Sequence, residues 1–217
     1  MFGGRQLAPH PDAPARAVPL VACSWVWQGA GEWAFDFVVG VPPAALSLPA
    51  PVEPGRADGL WRSTCFELFL LDPATGGYRE FNFSPSGEWA AYEFDSYRES
   101  MRALATKTPQ ITSSNPDQFR LAMHARLREL GVDEDFIRLM LAADPPEAEP
   151  EPERFALSAI LDDPALSDGR TWIAGICAVI EETDGTKSYW ALAHPPGAPD
   201  FHHPDCFTLE LPASPQA

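Results

Sequence analysis

Apolar residues recur at every second position in several short runs of this chain, and proline and glycine clusters separate the runs. That is the pattern of strands with one buried face. Val18–Trp27 and Trp33–Val41 are two β-rich runs around a glycine-marked turn, and they predict a hairpin. Residues 42–59 carry too many prolines to join a ladder and predict a long loop. Residues 61–97 predict three consecutive antiparallel strands, in which aromatic and carboxylate residues are densest. Ser96 and Glu99 have capping-box spacing, which predicts a short helix near 97–104. Residues 105–118 are polar and turn-rich. Phe119, Leu121, Met123, Ala125 and Leu127 alternate and predict a strand. Phe136, Leu139, Met140 and Ala143 follow helical spacing, so a helix is expected over 133–143, stopped at Asp144–Pro145 and followed by an acidic, proline-rich stretch. Strands are expected again at Phe155–Leu161, at Trp172–Glu181 (covered on both faces), at Ser188–Ala193 and at Phe207–Leu211, with a proline-rich loop over 194–206. Residues 1–16 read as an irregular arm. About ten strands with one or two short helices predict an all-β, antiparallel β-sandwich.

The central meander can be sorted by face, because side chains alternate along a strand and opposed residues share a side. With 72–77 as the first loop, Leu71 faces Tyr78, Phe69 faces Glu80 and Glu67 faces Asn82. With Ser84–Gly87 as a four-residue second loop, Phe83 faces Glu88 and Asn82 faces Trp89. One side then collects Phe66, Leu68, Leu70, Phe81, Phe83, Ala90, Tyr92 and Phe94 as a core face. The other collects Glu67, Phe69, Glu80, Asn82, Trp89 and Glu93. The second side reads either as a solvent face or as a binding face for a ligand with polar rims and apolar patches, such as a sugar.

Composition narrows the partners. With 31 acids against 15 bases the net charge is −16. Phosphate-rich partners require a basic footprint, so neither nucleic acid nor an anionic membrane surface is expected. The apolar share of 45% allows a sizeable core, and the four widely spaced cysteines read as reduced core thiols rather than bridges. The first residues lack a charged segment followed by a long apolar run, and a cytoplasmic location is the expectation.

Other residues along the chain admit other site chemistries. His194, His202, His203, Asp205 and Cys206 are metal-ligand types, but their spacing fits no standard zinc pattern, and a loop in which His and Asp bond backbone groups is the simpler reading. Glu67, Glu80 and Glu93 on one face would suit calcium, with Arg62 as the nearest neutralising cation. Haem would need axial ligands from Met101, Met123, Met140 or His124. No acid/base pair, Ser–His–Asp set or glycine-rich phosphate loop stands out. No cofactor and no catalytic residue are therefore expected; calcium and haem are the alternatives.

LWRSTCFELFL, YREFNFSPSGEWAAYEFDSYR, SYWALAHP and PDFHHPDCF together resemble the DOMON-like proteins of bacteria, which are similar to family 9 carbohydrate-binding modules. The resemblance covers the chain from about residue 18 onward, and 128–154 reads as an insertion. It implies a jelly-roll-like sandwich, a single domain over 1–217, and ligand binding without catalysis. By position it marks Trp61, Arg62, Glu67, Glu80, Asn82, Trp89, Trp190, His194 and His202, and also Asp200 and Phe201. The expectation is a small carbohydrate-like ligand, with Trp61, Trp89 and Trp190 stacking and Glu67, Glu80, Asn82 and His202 hydrogen-bonding. A protein-interaction module using the acidic surface is the alternative from another class. Oligomeric state is not specified.

Overall fold

The computed structural model describes residues 2–29, 31–114, 123–124, 127–128, 131–134, 153–163, 166 and 169–211. Strands are numbered in chain order. The first sheet holds β1 (Phe2–Gln6), β3 (Val21–Gly29), β4 (Glu32–Val39), β9 (Gln110–Ser113) and β10 (Phe155–Asp162), in the order β1-β3-β4-β10-β9. The second holds β2 (Ala8–Pro9), β5 (Cys65–Leu71), β6 (Tyr78–Phe83), β7 (Trp89–Phe94), β8 (Arg102–Ala103), β11 (Trp172–Glu181), β12 (Lys187–Ala191) and β13 (Leu209–Leu211). Its order is β2-β12-β11-β5-β6-β7-β8, and β13 also pairs with β11. All ladders between these strands are antiparallel.

The two sheets close over one core. Trp33, Phe35, Phe37, Phe66, Phe81, Phe83 and Phe155 are fully buried there. Phe66 bridges the layers, with its ring 4.9 Å from Phe37 and 6.0 Å from Phe155. Each buried aromatic removes a large apolar area from water, and this burial is the main force closing the sandwich. The expected β-sandwich is therefore the observed fold. The four cysteines are free and buried. Among the described residues, no helix is long and apolar enough to cross a membrane.

Several local expectations need correction. The N-terminal arm is not irregular: β1 pairs with β3 in one sheet and β2 pairs with β12 in the other, so the arm ties the sandwich together. The helix near 97–104 does not form. Ser96 Oγ does bond Glu99 Oε2 at 2.7 Å, but Arg98 and Ser100 then take positive φ and the chain turns back into β8. The capping contact forms a turn because no helical continuation follows it. Strand β9 lies in the stretch read as polar turns, whereas Met123, His124 and Leu127, read as strand, have helical geometry. Most of the helix expected over 133–143 and of the 128–154 insertion lies outside the described residues.

The most consequential correction is the β6–β7 register. The β5–β6 ladder is as predicted, with Glu67 opposite Asn82 and Phe69 opposite Glu80. The next loop is five residues, 84–88, so Phe83 opposes Trp89 and Glu80 opposes Tyr92. Glu88 is drawn into the turn: its carbonyl accepts the Ser84 N–H at 3.0 Å and its own N–H donates to Ser86 Oγ at 3.2 Å. Gly87, at φ 95°, makes the turn possible. A one-residue slip flips every side chain of β7. Trp89 and Ala91 therefore join the inter-sheet core, and Ala90, Tyr92 and Phe94 move to the outer face with Glu67, Glu80 and Asn82.

Candidate functional site

The outer face of the eight-stranded sheet is half roofed. A second apolar cluster, including Phe69, Tyr78, Tyr92, Phe94, Phe201 and Phe207, packs there. The roof is the 194–207 loop. Gly175 lets it come close, since a Cβ there would stand 2.9 Å from Phe207 Cδ1 and 3.1 Å from the Cys206 carbonyl oxygen. Asp200 shapes the loop, with Oδ1 accepting the His202 N–H at 3.1 Å and the carbonyl accepting the Cys206 thiol at 3.3 Å. Beside the roof, the 58–62 turn and the 96–101 turn complete a wall.

These pieces enclose a cavity of about 600 Å³, in the size range of small-molecule sites. Its polar residues are Glu67 from β5, Glu80 from β6, Lys187 from β12, Arg62, Arg98, Asp200 and His202. Its apolar surfaces come from Tyr92, Phe94, Val179, Tyr189 and Phe201. At the mouth stand Trp61, 51% exposed, and Met101, 57% exposed.

Glu67 and Glu80 sit diagonally across the β5–β6 ladder. Each is almost wholly buried. Burial disfavours the charged form of both. The Glu67 carboxyl is pushed well above the usual carboxylate range by desolvation and by Glu80. Desolvation raises Glu80 to about 6, against the opposing, lowering effect of a 2.7 Å bond from the Asn82 amide and of Arg98. Glu67 Oε1 and Asn82 Oδ1 find no hydrogen-bond partner among the described residues.

His202 is wedged among Phe69, Tyr78 and Phe94, with ring centroids 5.1, 5.9 and 5.3 Å away. Desolvation, reinforced by Arg98, lowers it to about 4, so it is neutral near pH 7. The Arg98 N–H donates to Tyr78 Oη at 3.1 Å, leaving the Tyr78 hydroxyl proton for His202 Nδ1 at 2.9 Å. That assigns the ring proton to Nε2, which faces Glu80 Oε2 at 3.8 Å. Arg98 itself is held by Asp200 at 2.7 Å, and the Tyr97 hydroxyl donates to the other Asp200 oxygen.

Of the residues singled out from sequence, Trp61, Arg62, Glu67, Glu80 and His202 line this cavity. Asn82 lies on the same face and holds Glu80. Trp89 and Trp190 point the other way, into the inter-sheet core: Trp89 lies under Arg56 at 4.6 Å, and Trp190 Nε1 donates to Ser188 Oγ at 2.9 Å. His194 Nε2 bonds the Ala8 carbonyl at 2.9 Å and anchors the N-terminal arm. Sequence reasoning did not assign Arg98 or Tyr189 to a site, considered Met101 only as a haem ligand, and gave Tyr92 to the core. Only the β7 register and the loop packing bring these four to the cavity.

The calcium reading loses its third carboxylate: Glu93 lies on the opposite face, bonded to Arg102 at 2.7 Å. Among the described residues, no group of three or more His, Cys, Asp or Glu side chains could hold a metal ion. In the 200–206 loop, Asp200 and His203 bond backbone N–H groups, as the simpler reading of that cluster anticipated.

No family model matches the chain, and no curated protein sequence matches it. Among solved structures, the chain is similar to the crystal structure of a putative carbohydrate-binding protein from Bacteroides uniformis. The TM-score is 0.60 at 16% identity, over 99% of this chain and 86% of that one. At that identity the likeness establishes a shared fold.

Proposed function

We propose that this protein is a non-catalytic binding domain for a small carbohydrate-like ligand, held in the cavity on the outer face of the eight-stranded sheet. One observation carries the reading: an exposed Trp61 at the mouth of a cavity whose floor is the buried Glu67–Glu80 pair. A sugar ring offers an apolar face for the indole and hydroxyl groups for the carboxyls. Arg62, His202 and Arg98 add donors on the remaining sides. Asn82 positions Glu80, while Trp89, Trp190 and His194 support the fold around the site. The fold shared with the putative carbohydrate-binding protein from B. uniformis and the motifs that resemble DOMON-like proteins support this reading.

Calorimetric titration of a sugar panel tests it. Wild type should bind at least one sugar, and Trp61→Ala should weaken that binding about tenfold, the scale of losing one stacked ring and its buried area. No heat with any sugar, or equal affinity in both proteins, would overturn the proposal.

A further inference from the structure

The polar groups of the cavity are unevenly matched. Three cations line it, and each has a protein partner. Arg98 is paired with Asp200 at 2.7 Å. Lys187 donates to the Arg62 carbonyl at 2.6 Å and lies 3.6 Å from Glu181. Arg62 lies over the Trp61 ring at 5.4 Å. The two deepest carboxyls have no such match. Glu80 receives an amide bond from Asn82, faces His202 Nε2 at 3.8 Å and lies within the field of Arg98, whereas Glu67 Oε1 receives no hydrogen bond among the described residues. The groups nearest Glu67 across the sheet are Asn82, Glu80 and the Cys177 thiol, and none of them is a cation. A buried carboxyl with no cation beside it, as at Glu67, is costly to ionise, and the cost falls sharply when a cation is delivered to it. The aromatic faces of Tyr92, Phe94 and Tyr189 around the same space also favour a cation.

We infer that the ligand brings that cation: the site takes an amino sugar, its protonated amine seated against Glu67 and Glu80 and its ring against Trp61. The inference rests on the carbohydrate-binding reading and narrows it to one class. A neutral sugar would leave the pair uncompensated, and an acidic sugar would place a third carboxylate beside it. Burial raises the proton affinity of both carboxyls, so an arriving ammonium favours their ionisation and binding releases protons to buffer.

The test uses the full chain and four probes: glucosamine, glucose, N-acetylglucosamine and cyclohexylamine. By calorimetry at pH 7, glucosamine should bind at least tenfold more tightly than glucose or N-acetylglucosamine. Its heat should change with the ionisation enthalpy of the buffer. Glu67→Gln should remove at least tenfold of the glucosamine affinity and abolish the buffer dependence. Glu80→Gln is the second variant should the first not fold. Equal affinity for glucose and glucosamine would overturn the amine inference and leave the carbohydrate reading standing. Cyclohexylamine binding as tightly as glucosamine would overturn the sugar assignment. No binding of any sugar would overturn the carbohydrate reading and the inference with it.

Discussion

Glu80 and His202 face each other across 3.8 Å, and burial moves their proton affinities in opposite directions. Their effects on stability oppose accordingly. Glu80 rises from 4.5 to about 6 on folding, so the folded state holds the proton more firmly. Its contribution is present below pH 4.5 and is lost as pH rises through 6, a loss of about 2 kcal/mol. His202 falls from 6.5 to about 4. Its contribution is present above pH 6.5 and is lost as pH falls through 4, about 3 kcal/mol. Glu67, raised like Glu80, extends the alkaline-side loss. Melting temperatures from pH 4 to 8 should therefore move in opposite directions for two variants. Glu80→Gln should gain on wild type as pH rises toward 7, and His202→Gln should gain as pH falls toward 4. Parallel pH profiles for wild type and both variants would contradict these assignments. At this same scale strand alternation marked Glu67 and Glu80, whereas His202 was marked for sugar binding only by the family resemblance. Neither gave any sign of the proton states, which depend on how completely the 194–207 loop removes water.

At the scale of the elements, the β6–β7 hairpin decides which side chains meet a ligand. Alternation made the three strands legible, and the Asp72–Gly77 loop length made the β5–β6 register legible as well. The second loop differed by one residue, because serine side chains in the turn bond backbone groups and draw Glu88 in. Such bonds leave no periodic trace. The consequence can be measured. Trp89→Ala should destabilise the protein by about 3–5 kcal/mol, as for a large core aromatic, while ligand affinity of the folded fraction stays near wild type. Trp61→Ala should do the reverse: affinity lost and melting temperature almost unchanged, because Trp61 is half exposed. A large affinity loss with little destabilisation in Trp89→Ala would instead place that indole in the site.

The whole molecule is held by contacts between distant parts of the chain. The arm before β3 adds a strand to each sheet, buries Leu7 and His10, and is anchored by His194 Nε2 on the Ala8 carbonyl. Its continuation is fastened by Glu182, whose two carboxylate oxygens accept the Arg16 and Ala17 N–H groups at 2.7 and 2.8 Å. Removing residues 1–12 should lower the midpoint of chemical denaturation by several kcal/mol equivalent, since a fully buried leucine alone accounts for about 2–5. A truncated chain with unchanged midpoint would show that the arm contributes little to closing the sandwich.

The sequence by itself determined that this chain is an antiparallel β-sandwich, because alternating apolar residues can be buried only by facing a second sheet. It also marked the 61–97 meander as chemically rich. Tertiary structure alone decided the rest. The length of one turn chose the face on which β7 presents Tyr92 rather than Trp89. The approach of the 194–207 loop over Gly175 turned an open sheet face into a cavity. The pairing of Arg98 with Asp200, more than a hundred positions away in sequence, holds that cation at the wall and leaves Glu67 without a hydrogen-bond partner for Oε1 among the described residues. Strand periodicity is a local property that a sequence displays. Turn hydrogen bonding, loop packing and long-range ion pairing depend on residues far apart in the chain, and only the folded molecule brings them together.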